Sequence, residues 1–228
     1  MFIYPIFYSN AYNINGIQLG GEDIESVNNT KFLGLHLDKK LTFNAHVNHI
    51  ISKISKSVGI LYKLNSYFPE VILRQIYNSL ILPYITYSIE SWFGAPRYLS
   101  DRVQVLQKKA VRAIYSLPYN SHTGPFFKDY SFLNVHDLFI LSLSSHIYKY
   151  KNSDVNIALP LPYRSDLSTH ATRNRDNLSL PYFRRAKSQN SFTYQSVKAW
   201  NSIPLDVRNL GSLHLFKAKL KLWLFSKY

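Results

Sequence analysis

The sequence predicts a mainly α-helical fold with a small β part at its N-terminal end, and three observations predict it. Apolar residues recur at steps of three and four over several long segments, and an extended pattern occupies the stretch before residue 43. A hydrophobic content of 46% over 228 residues is ample for a core. The expected organisation is an unassigned segment 1–13, a β-hairpin unit 14–43, a helical bundle 44–150, a linker 151–170 and a basic α+β region 171–228.

Each element has its own signal. Asn15-Gly16 is a turn dipeptide between apolar residues, and Ser26 to Gly34 resumes an extended pattern, so residues 12–38 read as a small antiparallel unit. Within it, Lys31 to Asp38 reads as a short strand leading into a helix. Thr42 is the expected N-cap of that helix, in which Val47, Ile51, Ile54, Val58, Leu61 and Leu64 recur with helical spacing. Lys53, Lys56 and Lys63 fall on a different face. Pro69 and Glu70 open the next helical segment, which Pro83 should kink or break. Ser100-Asp101 is the expected cap of a third helix, with Val103, Leu106, Ala110, Ile114 and Leu117 inward and Lys108, Lys109 and Arg112 clustered nearby. A fourth helix is expected from about Val135 to Tyr150, with Leu138, Leu141, Ile147 and Tyr148 buried. Pro160 and Pro162 mark the linker. The last helix carries Leu213, Phe216, Leu220 and Leu224 on one side and Lys217, Lys219, Lys221 and Lys227 outward.

Charge narrows the partners. Lys and Arg number 27 against 13 Asp and Glu, a net charge of +14, which favours polyanions and chiefly nucleic acid. From Lys151 onward there are 13 Lys and Arg against 4 Asp, a net charge of +9, so the excess is concentrated in the last third. Aromatic residues make up 15% of the chain, a supply that a nucleic-acid binder can use for stacking. The absence of cysteine excludes disulfides, thiol catalysis and cysteine-type zinc fingers or knuckles and is compatible with a reducing compartment, and a place in the cytoplasm or nucleus is expected over secretion. Phe2 to Tyr8 is apolar but short, broken by Pro5 and without a basic leader or cleavage site, so no signal peptide is expected. Val71 to Trp92 carries Arg74, Gln75, Asn78 and Glu90 and reads as buried helices, with no membrane partner.

No self-contained catalytic constellation is present in the sequence. Glu22-Asp23 is the only adjacent acidic pair, it sits beside Gly20-Gly21, and no Asp-Asp dipeptide occurs, so the paired carboxylates of two-metal chemistry have no candidate. His46 and His49 lie three apart on the first helix without an evident third ligand, so no metal is assigned. There is no Gly-x-Ser-x-Gly elbow and no glycine-rich phosphate loop. The positive signal is electrostatic. Lys53, Lys56 and Lys63 form a row that can follow a phosphate backbone, and Lys108, Lys109 and Arg112 form another basic face. Arg173, Arg175, Arg184 and Arg185, with Lys187, suit bidentate phosphate contacts.

Several segments carry a family resemblance. Asn15-Gly16-Ile17, Lys31 to Phe43 (Lys-Phe-Leu-Gly-Leu-His-Leu-Asp-Lys-Lys-Leu-Thr-Phe), His46-Val47 and Ser52 to Leu64 resemble the end of the polymerase region in animal non-LTR retrotransposon reverse transcriptases. Tyr77 to Tyr87 and Leu106 to Arg112 continue the resemblance. Ser191 to Tyr194, Trp200-Asn201-Ser202-Ile203-Pro204 and Phe216-Lys217 resemble the C-terminal block of jockey-like and CR1-like elements.

The resemblance implies a right-hand polymerase whose primer-grip hairpin, here Phe32, Leu33, Gly34 and Leu35 with Lys31 beside them, closes the palm. The helices after it would form the thumb that holds the template–primer, and the basic C-terminal block would engage template. The implied partners are RNA and RNA–DNA or DNA duplexes, contacted through backbone phosphates, together with the palm and fingers that would precede residue 14. The parent enzyme would use Mg²⁺, while this chain is expected to hold no cofactor, since the catalytic aspartates would also precede residue 14. The expectation is therefore a fragment of an RNA-directed DNA polymerase, not an enzyme as an isolated chain, retaining at most template–primer binding. The alternative is a non-catalytic helical protein-interaction module derived from such an element.

Overall fold

Two pairs of residues with positive φ make the β part. Gly20 (φ 62°) and Gly21 (φ 89°) turn strand β1 (Gln18–Leu19) back on β2 (Glu22–Asp23). Leu33 (φ 45°) and Gly34 (φ 85°) turn β3 (Asn29–Phe32) back on β4 (Leu35–Asp38). Two-residue loops with both φ values positive match the twist of the strands they join. The computed structural model describes residues 18–23, 26–152, 161–167 and 173–228, so the Asn15-Gly16 turn lies outside the described residues. Lys31 to Asp38 is thus not a single strand. It folds in its middle because Gly34 has no Cβ to oppose that backbone conformation.

Asp38 organises the passage into the first helix. Its carboxylate accepts the N–H of Lys40 (3.1 Å), Thr42 (3.0 Å) and Phe43 (2.8 Å) and the Thr42 hydroxyl (3.0 Å). Burial alone would raise this carboxyl, but the Thr42, Phe43 and Lys40 donors together hold it below its ordinary range. Helix α1 (Asn44–Leu64) starts two residues after the expected Thr42 cap. Its N-cap is Phe43, in the left-handed region at φ 58°, and Asp38 supplies the acceptor chemistry. Val47, Ile50, Ile54, Val58 and Leu61 are buried, while Ile51 and Leu64 are only partly so.

Pro69 caps α2 (Glu70–Leu80), and α3 (Leu82–Thr86) follows after a break at Ile81. Pro83 causes that break, since it lacks the N–H that would continue α2. The Leu80 carbonyl, just before the break, accepts from Ser57 of α1 (3.2 Å). Helix α4 (Ile89–Trp92) buries Trp92, whose indole N–H donates to the Tyr87 carbonyl (3.1 Å). Helix α5 (Arg97–Ile114) begins earlier than Ser100-Asp101 suggests. Pro96 is its N-cap, and Asp101 lies inside the helix, 3.9 Å from Arg97 one turn before it. Leu99, Val103, Gln107, Ala110, Val111 and Ile114 face the core, Leu106 is half-buried and Leu117 lies beyond the helix.

Tyr98 donates to Asn44 (2.7 Å) and Arg102 to Asn48 (2.8 Å), pairs with the same sequence offset, so α1 and α5 run parallel. Helix α6 (Gly124–Asp129) leads to α7 (Val135–Asn152), where Asn134 accepts the Asp137 N–H (2.9 Å). Leu138, Leu143, Ile147 and Tyr148 of α7 are buried, and Leu141 is half-buried.

The C-terminal part packs on the other side of α7. It comprises α8 (Arg164–Leu167), α9 (Ala186–Gln189), α10 (Phe192–Asn201), α11 (Leu205–Arg208) and α12 (Leu213–Phe225). Ser191 and Ser212 cap α10 and α12, accepting the N–H of Tyr194 (3.4 Å) and Leu215 (3.3 Å). Tyr148 stacks on Phe216 (4.6 Å between centroids) with Trp200 beside it, so these helices share one hydrophobic core with α1 to α7. The architecture is mainly α with two small antiparallel hairpins, as the helical periodicity predicts.

Candidate nucleic-acid interface

The hairpin β3–β4 presents an apolar tip. Phe32 is 59% and Leu33 74% exposed, and Lys31 is exposed one residue before them. The Tyr87 hydroxyl donates to the Leu33 carbonyl, and a Cβ on Gly34 would come within 3.3 Å of the Tyr87 ring. That glycine therefore serves both the turn and the docking of the tip on the α3–α4 junction. Leu35, on β4, is half-buried.

Beneath the hairpin the structure gathers three histidines. His36, paired across the ladder with Lys31, lies tilted against His49 (4.7 Å between centroids) and near His46 (6.3 Å). His46 is 2% exposed, with neither ring nitrogen hydrogen-bonded. Burial first, then His36 and His49, push its pKa down to about 4, so it is neutral at physiological pH. His49 is also lowered, by burial and then by His36, Lys53 and Lys31. His46 and His49 share the helix spacing read from sequence, but His46 is buried within the fold. Among the described residues, no group of three or more His, Asp or Glu could hold a metal ion.

Lys53, Lys56 and Lys63 are all exposed on α1, and none pairs with a described carboxylate. At 100° per residue, Lys56 and Lys63 lie about 20° apart and Lys53 about 60° further round, on the side away from the buried residues. Ten residues of helix span about 15 Å, the rise of roughly four base pairs.

Lys108 and Arg112 of α5 lie together, and Lys109 points elsewhere. The first two line a cleft of about 800 Å³ with Arg97, Asp101 and Gln104 of the same helix, whereas Lys109 is half-buried outside it. Both the Nε and Nη2 of Arg112 donate to the Ser121 carbonyl (3.1 and 3.0 Å). Arg173, Arg175, Arg184 and Arg185 are exposed on the connections that precede α9, and the Lys187 side chain lies outside the described residues. A cation not singled out from sequence, Arg208, is 9% exposed and donates to Asn177 (3.0 Å) and to the Asp176 carbonyl (3.3 Å). Burial lowers its pKa, and its place is structural.

One polar group inside the fold resembles hydrolase chemistry without its order. Ser142 and His146 both bond to Oε1 of Glu90, the imidazole at 3.0 Å, so the carboxylate stands between hydroxyl and base. In a nucleophilic triad the base must stand between the other two. Among the described residues, no helix is long and apolar enough to cross a membrane.

The resemblance motif Trp200 to Pro204 is a packing unit. Trp200 and Ile203 are buried, Pro204 caps α11, and the Asn201 amide brackets the Leu178 backbone with two 2.9 Å bonds.

No protein-family model matches the chain, and no solved structure matches it. Curated proteins do. The probable RNA-directed DNA polymerase from transposon BS of Drosophila melanogaster is 30% identical over 139 residues, 60% of this chain and 15% of that protein. The RNA-directed DNA polymerase from mobile element jockey of the same species is 27% identical over 117 residues, 50% of this chain and 13% of that protein. The probable RNA-directed DNA polymerase from transposon X-element is 32% identical over 90 residues, 38% of this chain and 10% of that protein. The matches thus span about a seventh or less of these relatives.

Proposed function

We propose, from the relation of this chain to the RNA-directed DNA polymerases of non-LTR mobile elements, that it is the thumb-like and C-terminal part of such a polymerase. It holds a template–primer duplex by its phosphates and leaves the chemistry to carboxylates it does not contain. The observation that carries this reading is the row of Lys53, Lys56 and Lys63, exposed on the outer face of α1 and without a carboxylate partner among the described residues. A helix rigidly packed through its other face presents those charges at fixed spacing, which is what tracking a polyanion requires. The hairpin tip at Phe32 to Leu35 lies at the N-terminal end of the same helix, tied to Tyr87, and offers an apolar surface to the primer strand.

Binding of an RNA–DNA duplex, followed by fluorescence anisotropy across a salt series, tests it. The affinity should fall steeply with salt, and reversing all three lysines to Glu should flatten the log–log slope by about 2–3, near one per lost phosphate contact. A slope unchanged by the triple reversal would refute the role given to α1.

A second reading, a protein-interaction module, is favoured by one feature. Tyr67, Phe68, Val71 and Ile72 form an exposed apolar corner between α1 and α2. Under that reading, the triple reversal leaves nucleic-acid binding untouched.

A further inference from the structure

The cleft on α5 has features that a duplex-holding surface does not need. Arg97, Asp101, Gln104, Lys108 and Arg112 recur at steps of three and four, so the helix face turned away from the core forms its floor. The remaining walls come from four other places: Phe93 to Ala95 just before α5, α6 with Thr123, the start of α7, and Asn190 and Gln195 of the C-terminal part. Gly94 allows this closure. A Cβ there would lie 2.9 Å from the Asn190 carbonyl oxygen. At about 800 Å³ the space is of the size that encloses a small organic molecule and is much too narrow for a duplex.

Its lining holds two kinds of group. It carries three cations, Arg97, Lys108 and Arg112, against the single acid Asp101. Arg112 is pre-positioned, because its two bonds to the Ser121 carbonyl fix the guanidinium plane and leave its other N–H groups for a ligand. It also carries an aromatic group, in which Phe93 stacks on the buried Phe139 (4.2 Å between centroids) and His136 meets Phe93 edge-on at 5.9 Å. Phe93 is half-buried, so its ring extends a pile that Phe139 begins. Amide side chains complete the lining. Gln104 gives its carbonyl to the Val135 N–H (2.8 Å) and Gln195 gives an N–H to the Gln189 carbonyl (2.7 Å), which leaves the opposite amide end of each for a ligand.

We infer that this cleft takes one unpaired nucleotide of a bound strand, its phosphate on Lys108 and Arg112 and its base stacked on Phe93 with the amides at the base edge. Anionic and aromatic halves joined in one ligand of this size describe a nucleotide, and stacking on an aromatic ring is tolerant of which base it is. The inference rests on the proposed nucleic-acid binding and assigns a second, single-strand function to a site distinct from the α1 lysines.

Two probes separate the two proposals: a fully paired RNA–DNA duplex, and the same duplex with a three-nucleotide single-stranded overhang, both measured by anisotropy with the full chain. The overhang should raise affinity about tenfold or more. Phe93→Leu, which keeps apolar packing but removes the stacking face, and Phe93→Ala should abolish that gain and leave duplex affinity in place, with thermal melts showing that each variant is folded. The Lys53, Lys56 and Lys63 reversal should instead lower both affinities together. Duplex binding without an overhang gain, or a full gain retained in folded Phe93→Leu, would overturn the cleft assignment alone. Tight binding of free AMP with no overhang gain would assign the cleft to a free nucleotide and also overturn it. No binding to either probe would overturn both proposals.

Discussion

Acid should loosen the contact between the β3–β4 hairpin and α1, and His46 should account for most of the effect. Its imidazole is buried without a hydrogen-bond partner, and its pKa falls from 6.5 to about 4 in the folded chain. A group whose folded pKa is depressed binds its proton more readily when the chain is unfolded, so stability is present above pH 6.5 and is lost as pH falls toward 4. With those two values, the stability at pH 5 is about 2 kcal/mol lower than at pH 7 on account of this residue alone. His49, lowered by burial and then by His36, Lys53 and Lys31, acts in the same direction. The perturbation is His46→Leu, which fills similar space and removes two unpartnered nitrogens. Urea unfolding followed by circular dichroism at pH 5, 6 and 7, at fixed ionic strength, measures it. The wild type should lose about 2 kcal/mol or more over that range, and the variant should lose about 2 kcal/mol less than the wild type. A variant that keeps the full acid sensitivity would refute the assignment of that sensitivity to His46.

Two further substitutions probe the packing. Gly94→Ala drives a methyl group to 2.9 Å from the Asn190 carbonyl oxygen, and calorimetry should show a loss of roughly 1–3 kcal/mol as the C-terminal part is pushed back. Gln107 is fully buried and donates to the Tyr77 hydroxyl and the Leu133 carbonyl, both at 2.8 Å. Gln107→Leu strands two buried acceptors and should cost about 2–4 kcal/mol in denaturant titration, with about 1 kcal/mol of that recovered when Tyr77→Phe removes one of them.

The helices were legible because burial on one face leaves a period that survives in sequence, as Val47, Ile54, Val58 and Leu61 show on α1. What escaped was conformational or long-range. Leu33 is a poor residue for the left-handed region, so the turn inside Lys31 to Asp38 carried no familiar dipeptide and read as one strand. Ser100-Asp101 has the composition of a cap, but Pro96 three residues before Leu99 had already fixed the start of α5. Helical spacing brought His46 and His49 together, whereas His36 joins them only through the register of β3 on β4. The α5 cleft was illegible for a similar reason. Lys108 and Arg112 were visible as charges, but the surfaces that turn a solvated face into an enclosed one come from Phe93, Phe139 and Asn190, far apart in the chain. The resemblance motif Trp200 to Pro204 showed nothing of its packing role in sequence, because the Leu178 backbone that Asn201 brackets lies more than twenty residues before it.

Helix α7 has a consequence for how the chain is made. Its Tyr148 is covered by Phe216, which lies 68 residues later in the sequence. At ribosomal speeds of about 5–20 residues per second, that partner follows after roughly 3–14 s. During this interval the part of α7 that Phe216 covers has no native partner, so the nascent chain passes through a window in which it is open to self-association. Any condition that lengthens the window, such as slow elongation between residues 150 and 216, should cost soluble yield, even though the finished fold is unchanged.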